Sequence, residues 1–500
     1  MASAPAGIPE DVWEASDPLM RELVLEQGRH IDELTAQLAA LAARVAQLEE
    51  QKGRSSKNSS KPPSSDGRGF KAGDKGNGKG SGRKRGGQKG HPGAGRNLLP
   101  SEQCQDVIPH HPSHCRGCGE PLRGDDPDPL RHQVVDIPKI VPFVIEHQLH
   151  RLVCPCCRTT TAAELPVGVE SGGFGPQLSA LVGLLGGAYH LSHRKVQGLL
   201  DQVLGVEIST GAINAIRCRL SEALAQAVEE VKAAIRLEQV AHMDETGGPI
   251  GNADGNNPEG KRGWLWVVVT PTLALFQLAL SRSAEVAKTL LGEAFAGIVI
   301  SDRYSAYSWL PLERRQICWA HIKRDLIAIA ERVGVSAQAG KTLLELEHQL
   351  FQHWHRWRGG QISRQQLQAL TTPIRQAFEV KLKEVSDLGF ARGEKTPWAC
   401  TVRTCRQMLK VEPALWTFLD HPELVEPTNN DAERALRPAV IHRKLSYGVQ
   451  SQRGGLCQTR LLTVTTTLKQ QGRDVLEFLV EAWEAHRYGQ PAPSLLPQHD

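Results

Sequence analysis

Residues 239–246 read QVAHMDET, a short, mostly apolar run that ends on Asp244. Such a run, bounded by polar residues, is the pattern of a buried strand. Two later stretches also set a carboxylate at the end of an element. Residues 297–307, GIVISDRYSAY, carry Asp302 after a second strand-like run, and residues 427–438, PTNNDAERALRP, carry Glu433 in a polar helix start that Thr428 or Asn429 caps and that Pro438 limits one turn after Glu433.

Between the first two lie WLWVVVT (264–270) and LALFQLAL (273–280), strand-like runs joined by a turn at Pro271, and then SAEVAKTLLGEAF (283–295), a helix that Ser283 can cap. Strand, strand, strand, helix, strand is the order of an RNase H-like α/β core. In such a mixed sheet the first and fourth strands can lie side by side, bringing Asp244 and Asp302 to one edge. Glu245 follows Asp244 directly, but neighbours on a strand point to opposite faces, so only one of the two serves the same site.

Three carboxylates arranged in this way suit phosphodiester chemistry. Two divalent cations about 4 Å apart activate the attacking oxygen and stabilise the leaving one, and hard oxygen ligands select Mg²⁺ or Mn²⁺. Each residue also has a plainer reading. An aspartate at a strand end is commonly a cap or turn residue, and Glu433 four positions before Arg437 suits a surface ion pair worth a few tenths of a kcal/mol, about 0.2–0.5.

A chain of 500 residues is long enough for about three domains. It holds no uninterrupted apolar stretch of the roughly 20 residues needed to span a membrane, and its first residues have neither a basic nor an apolar leader region, which points to the cytosol. The net charge of +4 is unevenly spread: 8 Lys and 5 Arg against 2 Asp give residues 52–96 a net +11, leaving −7 for the rest. This Gly/Ser/Lys/Arg-rich segment has too few apolar groups to offset its ordering entropy. It reads either as a DNA-attracting arm, with Arg83, Lys84 and Arg85 as its densest cationic cluster, or as a charged linker.

Before it, residues 18–51 read as a helix with a heptad seam. Ile31, Leu38 and Val45 fall at one position and Leu34, Leu41 and Leu48 at the other, as in a short coiled coil or an amphipathic helix packed on its own protein. After it come two Cys-x-x-Cys knuckles. Cys115, Cys118, Cys154 and Cys157 are the candidate ligands of one structural zinc ion, with Cys156, His114 and His150 as nearby alternatives. HQVVDIP and VPFVIEHQLHRLVC between the knuckles read as two strands. From residue 174 to 236 the pattern is helical. A helix ending near Gly205 and a second starting at Ser209-Thr210 give the outline of a helix-turn-helix, in which Thr210, Asn214, Arg217 and Arg219 would face DNA; a helical hairpin in a bundle has the same outline.

Several motifs, in order, resemble the transposases of the IS66 class of bacterial insertion sequences. They are SSKPPSSDG and GGQKGHPG in the basic segment, the paired knuckles, HMDETG, SDRYSAY followed by CWAHIKRDL, and PTNNDAERALRPAVIHRKLSYG. The resemblance implies a DDE-type transposase with Asp244, Asp302 and Glu433 as its metal-binding triad on an RNase H-like fold, a helical insertion at about 322–420, and two Mg²⁺ or Mn²⁺ ions per site. It also implies terminal inverted repeats and target DNA as substrates, a homo-oligomer that cuts two ends together, element-encoded accessory proteins as partners, and action in the bacterial cytoplasm at the nucleoid.

Arg437 and Lys444, with His321 and Arg434, lie beside these motifs as candidate phosphate contacts. The expected organisation is a disordered tail (1–17), the coiled-coil helix (18–51), the basic arm (52–100), a zinc module (101–166), the helix-turn-helix region (174–236), the catalytic domain (237–480) and a C-terminal tail (481–500). Two rival readings remain: an RNase H-like nuclease that cuts without joining, and an inactive zinc and helix-turn-helix DNA-binding protein. One departure from the family pattern is the Gly/Asn-rich segment GPIGNADGNNPEGKRG (248–263) before WLW.

Overall fold

The computed structural model describes residues 7–53, 97–169, 172–446 and 448–497. Most of the basic arm, including Arg83, Lys84 and Arg85, lies outside the described residues. In chain order the elements are α1 (Glu10–Ala15), α2 (Pro18–Gly53), β1 (Arg151–Val153), β2 (Thr160–Ala162), α3 (Pro176–Gly187), α4 (His193–Leu204), α5 (Thr210–Ala223) and α6 (Ala225–Ile235). There follow β3 (Val240–Gly248), β4 (Gly263–Val269), β5 (Ala274–Ala279), α7 (Ala284–Leu291), β6 (Ile298–Ser301), β7 (Arg315–Ile317) and α8 (Trp319–Ala330). The chain continues through α9 (Gly334–Arg358), α10 (Arg364–Ser386), α11 (Pro397–Leu409), α12 (Thr417–Asp420), α13 (Asn430–Ser446), α14 (Gln452–Gln471) and α15 (Val475–Arg487).

Two compact units are present: Met1–Phe70, Leu165–Val196 and Thr210–Asp500 form one, and Lys71–Glu164 with Gln197–Ser209 the other. The larger unit is built on a five-stranded sheet in the order β5-β4-β3-β6-β7. β3, β4 and β5 form an antiparallel meander, whereas β6 pairs parallel to β3 and β7 parallel to β6. The α/β order read from the sequence is therefore present, with the first and fourth of its strands adjacent.

Two apolar clusters flank the sheet. One joins Ile300 and Ile317 of β6 and β7 to the helical segment α8–α12. Its centre is Trp319, which is 1% exposed and stands edge-on to Phe351, Phe378 and Trp416, with its indole N–H donated to the Leu415 carbonyl at 2.6 Å. Trp354 and Trp416 are buried there, and Trp357 and Trp398 pack against it, so the repeated tryptophans of this segment are core. The other cluster packs Ala432, Leu436 and Ala439 of α13 and Leu462 of α14 on Leu265, Val267, Val269 and Phe276 of β4 and β5.

Several sequence expectations need correction. α13 runs through Pro438 to Ser446 rather than stopping one turn after Glu433. The missing Pro438 N–H forfeits one helical bond, but Leu436 and Ala439 on either side are buried on the sheet, and that packing carries the helix onward. In the smaller unit HQVVDIP forms no strand and only Arg151–Val153 of the second run does, because Val134, Ile137, Phe143 and Val144 have no layer to pack against and stay exposed. β1 pairs instead with β2 across the second knuckle.

The N-terminal segment includes α1 with Trp13 buried, and the supposed C-terminal tail includes much of α15 and a fully buried Leu495. On α2 the seam residues Ile31, Leu34, Leu38, Leu41 and Val45 are all exposed, while the side chain of Leu48 lies outside the described residues. Trp319→Ala removes the centre of the α8–α12 core. Urea unfolding of this variant should show a loss of about 3–5 kcal/mol, the range for truncating a large buried aromatic.

Candidate active site

β3 and β6 fix the first two carboxylates. The parallel register sets His242 against Ile300, so Asp244 on β3 and Asp302, just past the end of β6, fall at the same level of neighbouring strands. Such strands lie about 4.8 Å apart. Asp302 Oδ1 accepts the Tyr304 N–H at 2.8 Å, and Asp244 Oδ1 accepts the Glu245 N–H at 2.9 Å. Each carboxylate is thus oriented by its own backbone.

Glu433 arrives from α13, and buried Asn429, at the start of that helix, sets its position. The Asn429 Nδ2 donates to the Met243 carbonyl at 2.7 Å, its Oδ1 lies 3.2 Å from His242 Nδ1, and its backbone N–H donates to Cys318 Sγ at 3.2 Å. The sequence offered this asparagine as a helix cap; its side chain instead ties α13 to β3.

Burial, followed by the Glu245, Asp302 and Glu433 charges, raises the Asp244 pKa to about 8. Burial also raises that of Glu433, against the opposing Arg324 cation. Such mutual repulsion among oxygen donors is relieved by a hard divalent cation, so the donor set fits Mg²⁺ or Mn²⁺. Glu245 is spent elsewhere. It is 7% exposed, accepts Arg282 Nε at 2.7 Å, and accepts the hydroxyl of fully buried Tyr307.

His321 was absent from the expected triad but stands at its edge. Its Nδ1 is 3.8 Å from Glu433 Oε1 and has no hydrogen-bond partner. Burial, then the Arg324 cation, lowers its pKa to about 4, so it is a neutral imidazole near pH 7 rather than a phosphate-binding cation. Among the described residues Cys318, His321 and Glu433 form the one group of three potential ligands within 4.8 Å of one another. The signal for it in the sequence was the Cys-x-x-His spacing in CWAHIKRDL.

The other predicted site residues are dispersed. Arg437 and Lys444 are exposed on α13, and Arg434 pairs with Asp431. On α5 Asn214 is exposed and Thr210 half-buried, whereas Arg217 turns into the helical layer, with its guanidinium over Gly186 and Nη1 2.9 Å from His193 Nε2. Arg219 lies over the Trp483 ring at 5.5 Å.

The two cysteine knuckles have the same backbone design. In each, the first Cys donates its N–H to the carbonyl five residues on and accepts the N–H four residues on: Cys115 with Glu120 and Gly119, Cys154 with Thr159 and Arg158. Gly119 and Arg158, at matching positions, both have positive φ, 81° and 61°. This equivalence pairs Cys118 with Cys157 and leaves Cys156 opposite Gly117. The Cys115 thiol is pulled down chiefly by backbone and side-chain hydrogen bonding at Cys118, and the Cys157 thiol to about 7 chiefly by Thr159. Depressed thiols suit zinc. Each pair is formed, but the four sulfurs do not gather into one cage.

A mixed sheet with carboxylates at the ends of neighbouring strands is the kind of core that DDE-type transposases carry. Residues 171–456, more than half of the chain, match the family described as "Transposase IS66 family", and the chain belongs to that family of DDE-type enzymes. Residues 15–97 match a second family, of unknown function (DUF6444). Among curated proteins the chain is similar to "Uncharacterized protein y4qI" of Sinorhizobium fredii (strain NBRC 101917 / NGR234), at 26% identity over 317 residues, 58% of this chain and 56% of that protein. The chain thus spans about half the length of that relative. No helix among the described residues is long and apolar enough to cross a membrane.

The raised Asp244 pKa fixes a pH dependence. Between the ordinary value of 3.8 and about 8 the folded protein holds a proton that the unfolded chain releases, so metal-free stability falls as pH rises through that window. Thermal melts in EDTA should show this fall for the wild type and a flatter profile for Asp244→Asn, and the Mg²⁺-induced rise in Tm should grow toward about pH 8. Equal pH profiles for the two proteins would remove Asp244 as the source. Metal analysis of the purified protein should give about one zinc per chain, falling toward zero in Cys154→Ser.

Proposed function

We propose that this chain binds the terminal inverted repeats of an insertion element, nicks the DNA at the element ends, and joins the freed 3′ ends to target DNA. The reading is supported by Asp244 and Asp302 standing at the same level of neighbouring strands β3 and β6, and by the charges of both acting on Glu433 of α13 or being acted on by it, although the oxygens of the three do not lie within 4.8 Å of one another. Mg²⁺ or Mn²⁺, held by these three residues, would activate the attacking oxygen and stabilise the leaving one.

The protein's own part is to hold and orient. Asp244 and Asp302, fixed on adjacent strands, present oxygens to one side, and Glu433 closes the set from the helix that Asn429 anchors. In the first reaction water attacks the phosphorus, the P–O3′ bond breaks, and the departing oxygen takes a proton to become the 3′-hydroxyl. That hydroxyl then attacks a target phosphodiester, whose own 3′ oxygen leaves. No enzyme nucleophile is needed. The neutral His321, beside Glu433, can accept a hydrogen bond from the attacking water or hydroxyl at Nδ1.

Asn214, Arg437 and Lys444 are proposed DNA contacts, as are Arg83, Lys84 and Arg85. Cys115, Cys118, Cys154 and Cys157 would close on a structural zinc. The exposed seam of α2 favours pairing with a second copy, which the cutting of two ends requires.

Asp244→Asn and Glu433→Gln should bind element-end duplex DNA as the wild type does, while Mg²⁺-dependent nicking falls at least about 100-fold, equivalent to several kcal/mol of transition-state stabilisation. Nicking retained in both variants would exclude the triad. Nicking without joined products would leave a simple nuclease, and a wild type that binds without nicking would leave a binding protein.

A further inference from the structure

The Gly/Asn-rich segment after β3 has no task in the proposed reaction, yet it is a built structure. Asn257, 1% exposed, donates to the Ile250 and Lys261 carbonyls at 3.2 and 2.9 Å, and its Oδ1 accepts the Lys261 N–H at 2.9 Å. The Gly251 and Ala253 N–H groups donate to the Val449 and Gln450 carbonyls at 2.8 and 2.9 Å, which stitches the loop to the segment that follows α13. An open cleft of about 510 Å³ results, lined by residues 247–250, 260–262 and Arg443.

Two guanidinium groups meet in this cleft. Arg443 donates to the Thr246 hydroxyl at 3.0 Å and to the Gly247 carbonyl, and Arg262 donates to that same carbonyl at 3.1 Å. Among the described residues neither has a carboxylate within ion-pair distance, whereas neighbouring Lys261 is paired with Glu259 at 2.8 Å. Burial and the Arg262 charge both push the Arg443 pKa down, as expected for two like charges sharing one neutral acceptor. The Gly-Gly step makes room for them: a Cβ at Gly247 would strike the Arg262 guanidinium, and one at Gly248 would lie 2.5 Å from Arg443 Cδ.

We infer that this cleft binds a backbone phosphate of the DNA strand that crosses the carboxylate site, an inference that rests on the proposed DNA-cutting function. Paired guanidinium groups match phosphate oxygens in geometry and charge, and an anion between them removes their repulsion. The placement fits. Gly247 follows Asp244 by three residues on β3, about 10 Å, and Arg443 follows Glu433 by ten residues on α13, about 15 Å. Phosphates on one strand recur about every 3.4 Å along the duplex axis, so a strand with its scissile phosphate at Asp244 places another a few nucleotides on in the cleft. The loop that sets this chain apart from its family's pattern is thereby a substrate-holding element.

The test uses the full-length protein and a short duplex of arbitrary sequence in Ca²⁺, with affinity followed by fluorescence anisotropy against NaCl concentration. Arg262 is exposed, so Arg262→Ala should keep the wild-type thermal midpoint. It should also weaken binding about tenfold and reduce the slope of log K against log salt by about 1, with Arg262→Lys retaining most of the slope. An unchanged slope in Arg262→Ala overturns the inference, and wild-type nicking in the same preparation then leaves the DNA-cutting function standing. Wild-type protein that neither binds nor nicks DNA overturns both. Inorganic phosphate at matched ionic strength is the second probe. If it raises the wild-type but not the Arg262→Ala midpoint while the DNA slopes agree, the cleft is a small-anion site and the inference fails.

Discussion

The buried carboxamide of Asn429 is the contact on which the geometry of this protein turns. Its Nδ2 reaches the backbone of β3 at Met243, its Oδ1 meets His242, and its own N–H meets the sulfur of Cys318 at the start of α8. Trp319, the next residue, donates its N–H to the Pro427 carbonyl at 2.9 Å. Strand, helix entrance and the approach to α13 are therefore joined at one point, next to Asp244 and one turn before Glu433. A buried amide left unpaired costs about 1–3 kcal/mol, so alternative placements of α13 on the sheet are penalised. Apolar packing alone tolerates sliding; this knot sets a register.

A second buried polar set braces the other face of the same strand. Glu245, bound by Arg282 and Tyr307, links β3 to the loop that carries Asp302, and Arg282 lies 3.6 Å over the Tyr304 ring in that loop. Asp244 and Glu245 are consecutive, but the pleat sends them to different tasks, one toward the open side and the other into the core. The two aspartates are thus positioned twice: by the parallel β3–β6 register and by a salt-bridged network behind them.

How much of this the sequence disclosed follows from what each signal measures. QVAHMD, GIVISD and the runs between them are dense in apolar and β-branched residues, and their order implied that Asp244 and Asp302 share an edge, as the pairing of His242 with Ile300 bears out. Pro438 misled because local rules assign it a helix stop, while the burial of Leu436 and Ala439 is tertiary and invisible to them. HQVVDIP misled in the opposite direction: alternation promises a strand only where another layer covers one face, and here those side chains stay exposed. The knuckles were legible as spacing, but their equivalence appeared only in the backbone, where Gly119 and Arg158 adopt the same positive φ.

The roles of Asn429 and Arg443 were not legible for a related reason. Both are polar residues in a motif already explained by helix capping and surface charge, and nothing local says that one carboxamide faces a strand 187 positions away or that a guanidinium lies under a glycine pair. Long-range polar contacts have no periodicity to betray them. They also carry the specificity: the apolar clusters bring α8 and α13 onto the sheet, and the β3–β6 register together with the hydrogen bonds of Asn429 and Glu245 fixes where the carboxylates stand. The loop after β3 obeys the same logic, since Asn257 gives it an internal core of hydrogen bonds in place of an apolar one. A loop held in that way can lie beside an active site without disturbing the two strands it connects.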